Sequence, residues 1–214
     1  MLRKIRATIT ALAAVSLLGA AAVATTTGTA SADESWARAA LRSADGTRIG
    51  TVAFTDEESS DHTEVTVDLR RATGTALDAF HGLHIHANDN SANGDGCIAD
   101  PAQPSTTWFV SADGHWKHNP TELHGHHAGD LPSVFVNADG TASMRFVVDK
   151  LTPAEVIGRA VVLHAGADNF GNVPVGTNAD QYTPGVTALA KTQATGNAGD
   201  RFACGVVTES GDSG

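Results

Sequence analysis

Basic residues are what this chain lacks most. Its 14 Lys and Arg face 24 Asp and Glu, for a net charge of −10. Three of the 14 (Arg3, Lys4 and Arg6) lie in residues 1–32, which hold no acid, so the remainder carries 11 against 24, or −13. That balance argues against a nucleic-acid binder, whose footprint is a basic face. Long apolar runs are scarce too: 41% of residues are hydrophobic, which excludes a multi-span membrane protein. There is no Gly-x-Ser-x-Gly elbow, no His-Glu-x-x-His and no phosphate loop. Gly94-Asp95-Gly96 is too short a glycine signal to mean more than a turn. No stretch keeps a helical period for more than about two turns. What remains is one domain with a sizeable core, built from strands and loops.

The one extended apolar run is terminal. Arg3, Lys4 and Arg6 precede Ala11–Ala24, and Ala30-Ser31-Ala32 then offers a small-x-small cleavage pattern. Residues 1–32 are expected to be a signal peptide and 33–214 the exported domain, because the run is too short to span a bilayer. The expected location is secreted, extracellular or in the cell envelope. Cysteine usage agrees, since only Cys97 and Cys204 exist and both follow the signal segment. In an oxidising compartment two such thiols are expected to pair, the alternative being two free thiols.

Short apolar-rich runs between turn signals predict an all-β fold. Arg38–Ser43 and Arg48–Phe54 flank an Asp45-Gly46 turn, and Glu64–Leu69 alternates polar and apolar. Gly82–His86, Ser133–Asn137, Thr141–Val148, Ala160–His164 and Phe202–Val207 complete the set. A Greek-key β-sandwich or barrel follows. Residues 87–131 and 165–200 read as two long loops, a length that points to function. The first holds five of the ten histidines.

Histidine is abundant where tyrosine is nearly absent, ten against one. His84 and His86 share a strand face, so both imidazoles can meet one ion. His81 has the wrong parity for that face and reads as a loop residue, and His62 reads as a solvated one. His115, His118, His124, His126, His127 and Asp130 form a second group, and imidazole with one carboxylate suits zinc. His164 ends an apolar run where a strand meets a long loop, well placed to reach a metal.

In this order these residues resemble the secreted bacterial copper/zinc superoxide dismutases. The stretches are Gly82-Leu83-His84-Ile85-His86, Ser111-Ala112-Asp113-Gly114-His115, His127-Ala128-Gly129-Asp130-Leu131-Pro132, Val161–Asp168 and Gly196–Val206. The resemblance implies an immunoglobulin-like Greek-key fold and superoxide as the substrate. It implies copper on His84, His86, His115 and His164, with His115 bridging to zinc. Zinc would take His115, His124, His127 and Asp130, with His118 or His126 as competing choices and copper alone as a further one. His124 and His127 stand closer together than the family's pattern has them. Asn169-Phe170-Gly171-Asn172-Val173-Pro174 replaces a segment that is usually charged. Asp168 resembles the carboxylate joining a copper histidine to a zinc histidine, Arg201 the anion-guiding arginine, and Cys97–Cys204 the family's disulfide.

The mechanism so implied is a two-step redox cycle. One superoxide leaves as oxygen, a second leaves as hydrogen peroxide, and His115 carries the proton to the peroxide. Because the chain is acidic, the entry must be locally positive, with Arg201 first and Lys191 and Lys117 as helpers. The rival is a non-catalytic extracellular copper or zinc binder on the same fold, favoured by the extra His118 and His126. Oligomeric state stays open between monomer and homodimer.

Overall fold

The computed structural model describes residues 36–57, 61–75, 77–168 and 185–210. The expected signal segment and Asn169–Pro174 lie outside the described residues. Among the described residues nine strands appear, in the order β1 (Ala37–Ser43), β2 (Arg48–Asp56), β3 (Thr63–Leu69), β4 (Ala79–His81), β5 (Leu83–His86), β6 (Val134–Val136), β7 (Ala142–Val148), β8 (Ala160–His164) and β9 (Arg201–Glu209). Two helices join them, α1 (Pro153–Val156) and α2 (Val186–Thr195).

Seven strands form one antiparallel sheet in the order β5-β8-β9-β1-β2-β3-β7, and β4 pairs with β6 as a separate ribbon. Through Gly82, β4 runs into the edge strand β5, and β6 turns at Asn137–Thr141 into the other edge strand, β7. The ribbon thus continues both edges of the sheet and pairs them, which closes a barrel-like sandwich and leaves few open edges.

Alternation explains most of the core. In β1 and β3 every second residue is buried, bringing Ala37, Ala39, Leu41, Val65, Val67 and Leu69 inside. β5 and β8 break the rule, being buried on both faces. Leu83, Ile85, Val161 and Leu163 face the main core. On the opposite face Ala160 and Val162 pack with Phe109, Ala112 and Cys204 under the long loop 87–131. His84, His86 and His164 stand on that covered face. The Cys97–Cys204 disulfide ties the loop to β9, with the Cα atoms 5.6 Å apart. Closing a loop of ~100 residues contributes about 4.7 kcal/mol in the chain-entropy model.

Two expectations need correction. Residues 165–200 are not loop throughout, since α2 occupies Val186–Thr195 and ends on Gly196 in the left-handed region, φ +64°. Its sequence carries no apolar stripe and it buries none of its residues, so no period marked it. His81 is not a loop residue but the last residue of β4, fully buried, with Nδ1 3.1 Å from the His164 carbonyl.

Candidate metal centre

Backbone pairing brings the loop histidines to the sheet. His86 and His115 form an isolated antiparallel bridge, as do His84 and Asp130. Between them Ile85 exchanges hydrogen bonds with the loop, its N–H donating to the Gly129 carbonyl and its carbonyl accepting from Trp116, both at 2.8 Å. Position 129 requires glycine, because a Cβ would run into the Ile85 carbonyl.

Four buried imidazoles converge there. One ring nitrogen each from His84, His86, His115 and His164 lies within 4.8 Å of all the others. These residues contribute His84 Nδ1, His86 Nε2, His115 Nε2 and His164 Nε2 as buried atoms without a hydrogen-bond partner. An orphaned buried polar atom is costly, and four of them in one cluster fit a metal ion that accepts imidazole. Their other nitrogens are engaged, fixing the tautomers. His86 Nδ1 lies 2.8 Å from the Asp113 carbonyl, His164 Nδ1 3.0 Å from the Gly199 carbonyl, and His115 Nδ1 2.8 Å from Asp130 Oδ1. Burial pushes His86 and His115 well below the usual imidazole range, His164 down to about 3, and His84 down also. Each ring is therefore neutral at physiological pH, with its lone pair available.

On the far side of His115 a second cluster forms around Asp130. Its Oδ1 lies 2.8 Å from His115 Nδ1, 3.0 Å from His124 Nδ1 and 3.2 Å from His127 Nδ1. His115 Nδ1 is 3.3 Å from both other histidine nitrogens. A tetrahedral zinc with bonds of about 2.0–2.1 Å has ligand–ligand edges of about 3.3 Å. The donor set and its spacing therefore fit zinc. A related grouping of His84, His115, His124 and Asp130 also comes within 4.8 Å. Burial would raise Asp130, but hydrogen bonds from His115, His124 and His127 hold it far below the carboxylate range. Burial works against a charged His124, yet Asp130 and Asp168 outweigh it and raise that ring to about 9.

Comparison with known proteins decides what this double centre belongs to. The family model for copper/zinc superoxide dismutase matches residues 48–207, more than half of the chain. The chain belongs to that family. A copper-zinc superoxide dismutase from Mycolicibacterium paratuberculosis is 34% identical over 176 residues, 78% of this chain and 71% of that protein. One from Mycobacterium bovis is 35% identical over 179 residues, 78% and 68% of the two chains. Among solved structures the clock protein EA4 matches with a TM-score of 0.56 at 26% identity, over 83% of this chain and 96% of that one. The copper/zinc superoxide dismutase from Brucella abortus shares the fold at a TM-score of 0.54 and 24% identity, over 79% and 97%. The protein is thus a superoxide dismutase of the copper/zinc type, and copper and zinc are its cofactors.

In this dismutase Asp168 spans the two clusters. One carboxylate oxygen meets His84 Nε2 and the other lies 2.8 Å from His124 Nε2, with its side chain fully buried. Gly196, capping α2, packs against this carboxylate so closely that any Cβ would overlap it. Helix α2 also accepts the His124 N–H, at the Gln193 carbonyl, so the end of α2 covers the centre. Arg201 donates its guanidinium to the carbonyls of Phe109 and Asp113. Burial lowers its proton affinity and Asp113 opposes this, but a guanidinium stays charged.

The remaining candidates fall elsewhere. His118 is half-exposed, 3.7 Å from Glu155 and edge-on to Trp116, and His126 is exposed. His62 is not among the clustered histidines. Lys117 donates to the Glu122 carbonyl within the loop, and Lys191 is exposed on α2. Sequence reasoning missed Lys150, whose ammonium donates to the carbonyls of His127 and Asp130. A lysine after a strand carries no signal for such a contact.

Proposed function

We propose that this chain dismutates superoxide with copper held by His84 Nδ1, His86 Nε2, His115 Nε2 and His164 Nε2, and zinc held by His115, His124, His127 and Asp130. The observation that carries the proposal is the convergence of four otherwise orphaned, neutral imidazole nitrogens on one point. Copper, when bound, supplies the one-electron couple by which one superoxide is oxidised to oxygen and another reduced to peroxide. The chain's residues supply geometry, charge and a proton. His115 offers one ring nitrogen to each cluster, so Nε2 could take a proton and pass it to the departing peroxide while Nδ1 stays held in the other cluster, by Asp130 in the metal-free chain and by zinc when it is bound. Asp168 holds His84 and His124 in one orientation and so links the two clusters. Arg201 places a permanent positive charge on an otherwise acidic chain, and it draws the anion in.

Export fits the same picture. Residues 1–32 would be removed and the chain from Asp33 onward would work outside the cytoplasm, where the Cys97–Cys204 disulfide persists. None of the described helices is long and apolar enough to cross a membrane. The acidity of the chain speaks against a nucleic-acid partner.

The test is metal content per chain on the purified protein, with superoxide dismutation assayed on the same sample. One copper and one zinc with fast turnover support the proposal, while full copper loading without turnover would leave a metal-binding protein in its place. The mass of that sample in solution separates monomer from homodimer.

A further inference from the structure

Two residues in the loop before His115 adopt positive-φ backbone conformations that favour glycine, Phe109 at φ +55° and Asp113 at φ +66°. They bracket a single 3-10 turn, Val110–Ala112. Their carbonyls are the two acceptors of the Arg201 guanidinium, Nη1 donating to Phe109 and Nη2 to Asp113. The Asp113 carbonyl also lies 2.8 Å from His86 Nδ1. One backbone oxygen thus serves a histidine of the copper cluster and the arginine that draws in the anion.

A residue other than glycine keeps such a conformation only where its surroundings hold it. The Asp113 side chain supplies that hold. Its Oδ2 accepts the backbone N–H groups of Asp89 and Asn90 at 2.8 and 2.9 Å, and its Oδ1 accepts Asn93 Nδ2 at 2.6 Å. A carboxylate this close to an anion guide would repel the substrate if it faced the approach, and here three donors take up both of its oxygens.

We propose that Asp113 is a positioning residue that acts through its own carbonyl: its carboxylate, held by Asp89, Asn90 and Asn93, aims the Asp113 oxygen so that His86 and Arg201 are set as a pair. The inference rests on the copper assignment made under Proposed function.

Azide, a small anion that can coordinate copper, is the probe, used on the copper- and zinc-loaded protein. The readouts are its dissociation constant by optical titration and the Cu(II) paramagnetic resonance spectrum. Asp113→Ala should weaken azide roughly tenfold and shift the spectrum. Asp113→Gly relieves the backbone strain but also loses the carboxylate, so it should show the same two changes. Asp113→Asn keeps an acceptor for the two amide groups, and the Asn93 amide can turn to meet it. That variant should return both readouts to within about twofold of the wild type. With Arg201→Ala already in place, the azide effect of Asp113→Ala should shrink to the part carried by His86. Unchanged azide affinity and spectrum in the Ala and Gly variants would overturn the proposal, even if both melt earlier. So would an azide effect undiminished in the Arg201→Ala background. A wild-type spectrum that azide does not perturb would instead refute the copper assignment, which is a separate failure.

Discussion

On one side of His115, three histidines stand on β5 and β8, and His115 itself is bridged to β5, so the sheet sets the positions of all four. On the other side, His124 and His127 come from a loop and are gathered by one carboxylate, Asp130. The first group is neutral and leaves four nitrogens without partners, whereas the second is an ion-paired knot in which hydrogen bonds are already made. A scaffold of strands can hold empty lone pairs toward one another because closed hydrogen-bond ladders fix the backbone. A loop without such ladders needs charge to hold it until a metal arrives. The copper cluster should therefore tolerate damage to its neighbour better than the zinc cluster tolerates damage to itself.

Breaking the sheet-held side should give the largest effect. His164→Ala removes a copper-cluster nitrogen while leaving the Asp130 group intact, so dismutation should fall by at least about a thousandfold. Metal analysis of that variant should still find zinc. Next comes Asp130→Asn, which takes away the carboxylate gathering three histidines. Competition with a chelator should show zinc affinity reduced about a hundredfold or more, with copper retained. Loss of both metals would contradict the independence of the sheet-held side. Asp168→Asn strikes the link between them, and a decrease of about 10–100-fold in affinity should appear for both metals.

A smaller effect lies in the pH dependence of the metal-free protein. His164, held down to about 3, refuses in the folded state a proton that the unfolded chain takes near 6.5, so stability falls as pH drops through that interval. Asp130, held far below 3.8, adds a loss in the acid range under that value. His124 acts in the opposite sense. Raised to about 9, its contribution is complete below 6.5 and is lost as pH climbs through 9. Tm should therefore peak near about pH 6.5 and decline on both sides. With zinc bound the His124 proton is displaced, so the alkaline decline should disappear. An alkaline limb unaffected by zinc would count against His124 as a ligand. The smallest change belongs to Lys191→Glu, which should slow turnover about twofold and flatten its dependence on salt. An unchanged salt profile would remove Lys191 from the approach path.

Much of the fold was legible in alternation. The eight strands anticipated from sequence all appear, with ends shifted by a residue or two. β4 escaped because three residues, Ala79-Phe80-His81, carry no period, and α2 escaped because its faces are alike. At the site, spacing alone supported only the His84–His86 pair, since parity in a strand is a local property. The meeting of His115, His164 and Asp130 with that pair depends on loops folding back over the sheet. Family resemblance, rather than periodicity, pointed to those residues. Parity set His81 apart from the His84–His86 face, and His81 is in neither cluster, but reading it as a loop residue missed β4, where it is buried. Neither the role of Asp113 nor that of Lys150 had a signal, because Asp113 aims its own carbonyl and Lys150 donates to the carbonyls of His127 and Asp130, groups that every residue possesses.

The central claim is that the orphaned nitrogens hold copper while the Asp130 cluster holds zinc. Anomalous diffraction at the copper and zinc absorption edges, from crystals of protein loaded with both metals, tests it most directly. Copper is expected among His84 Nδ1, His86 Nε2, His115 Nε2 and His164 Nε2, and zinc among His115 Nδ1, His124, His127 and Asp130. Copper in the Asp130 cluster, or zinc held by His118 or His126, would contradict it.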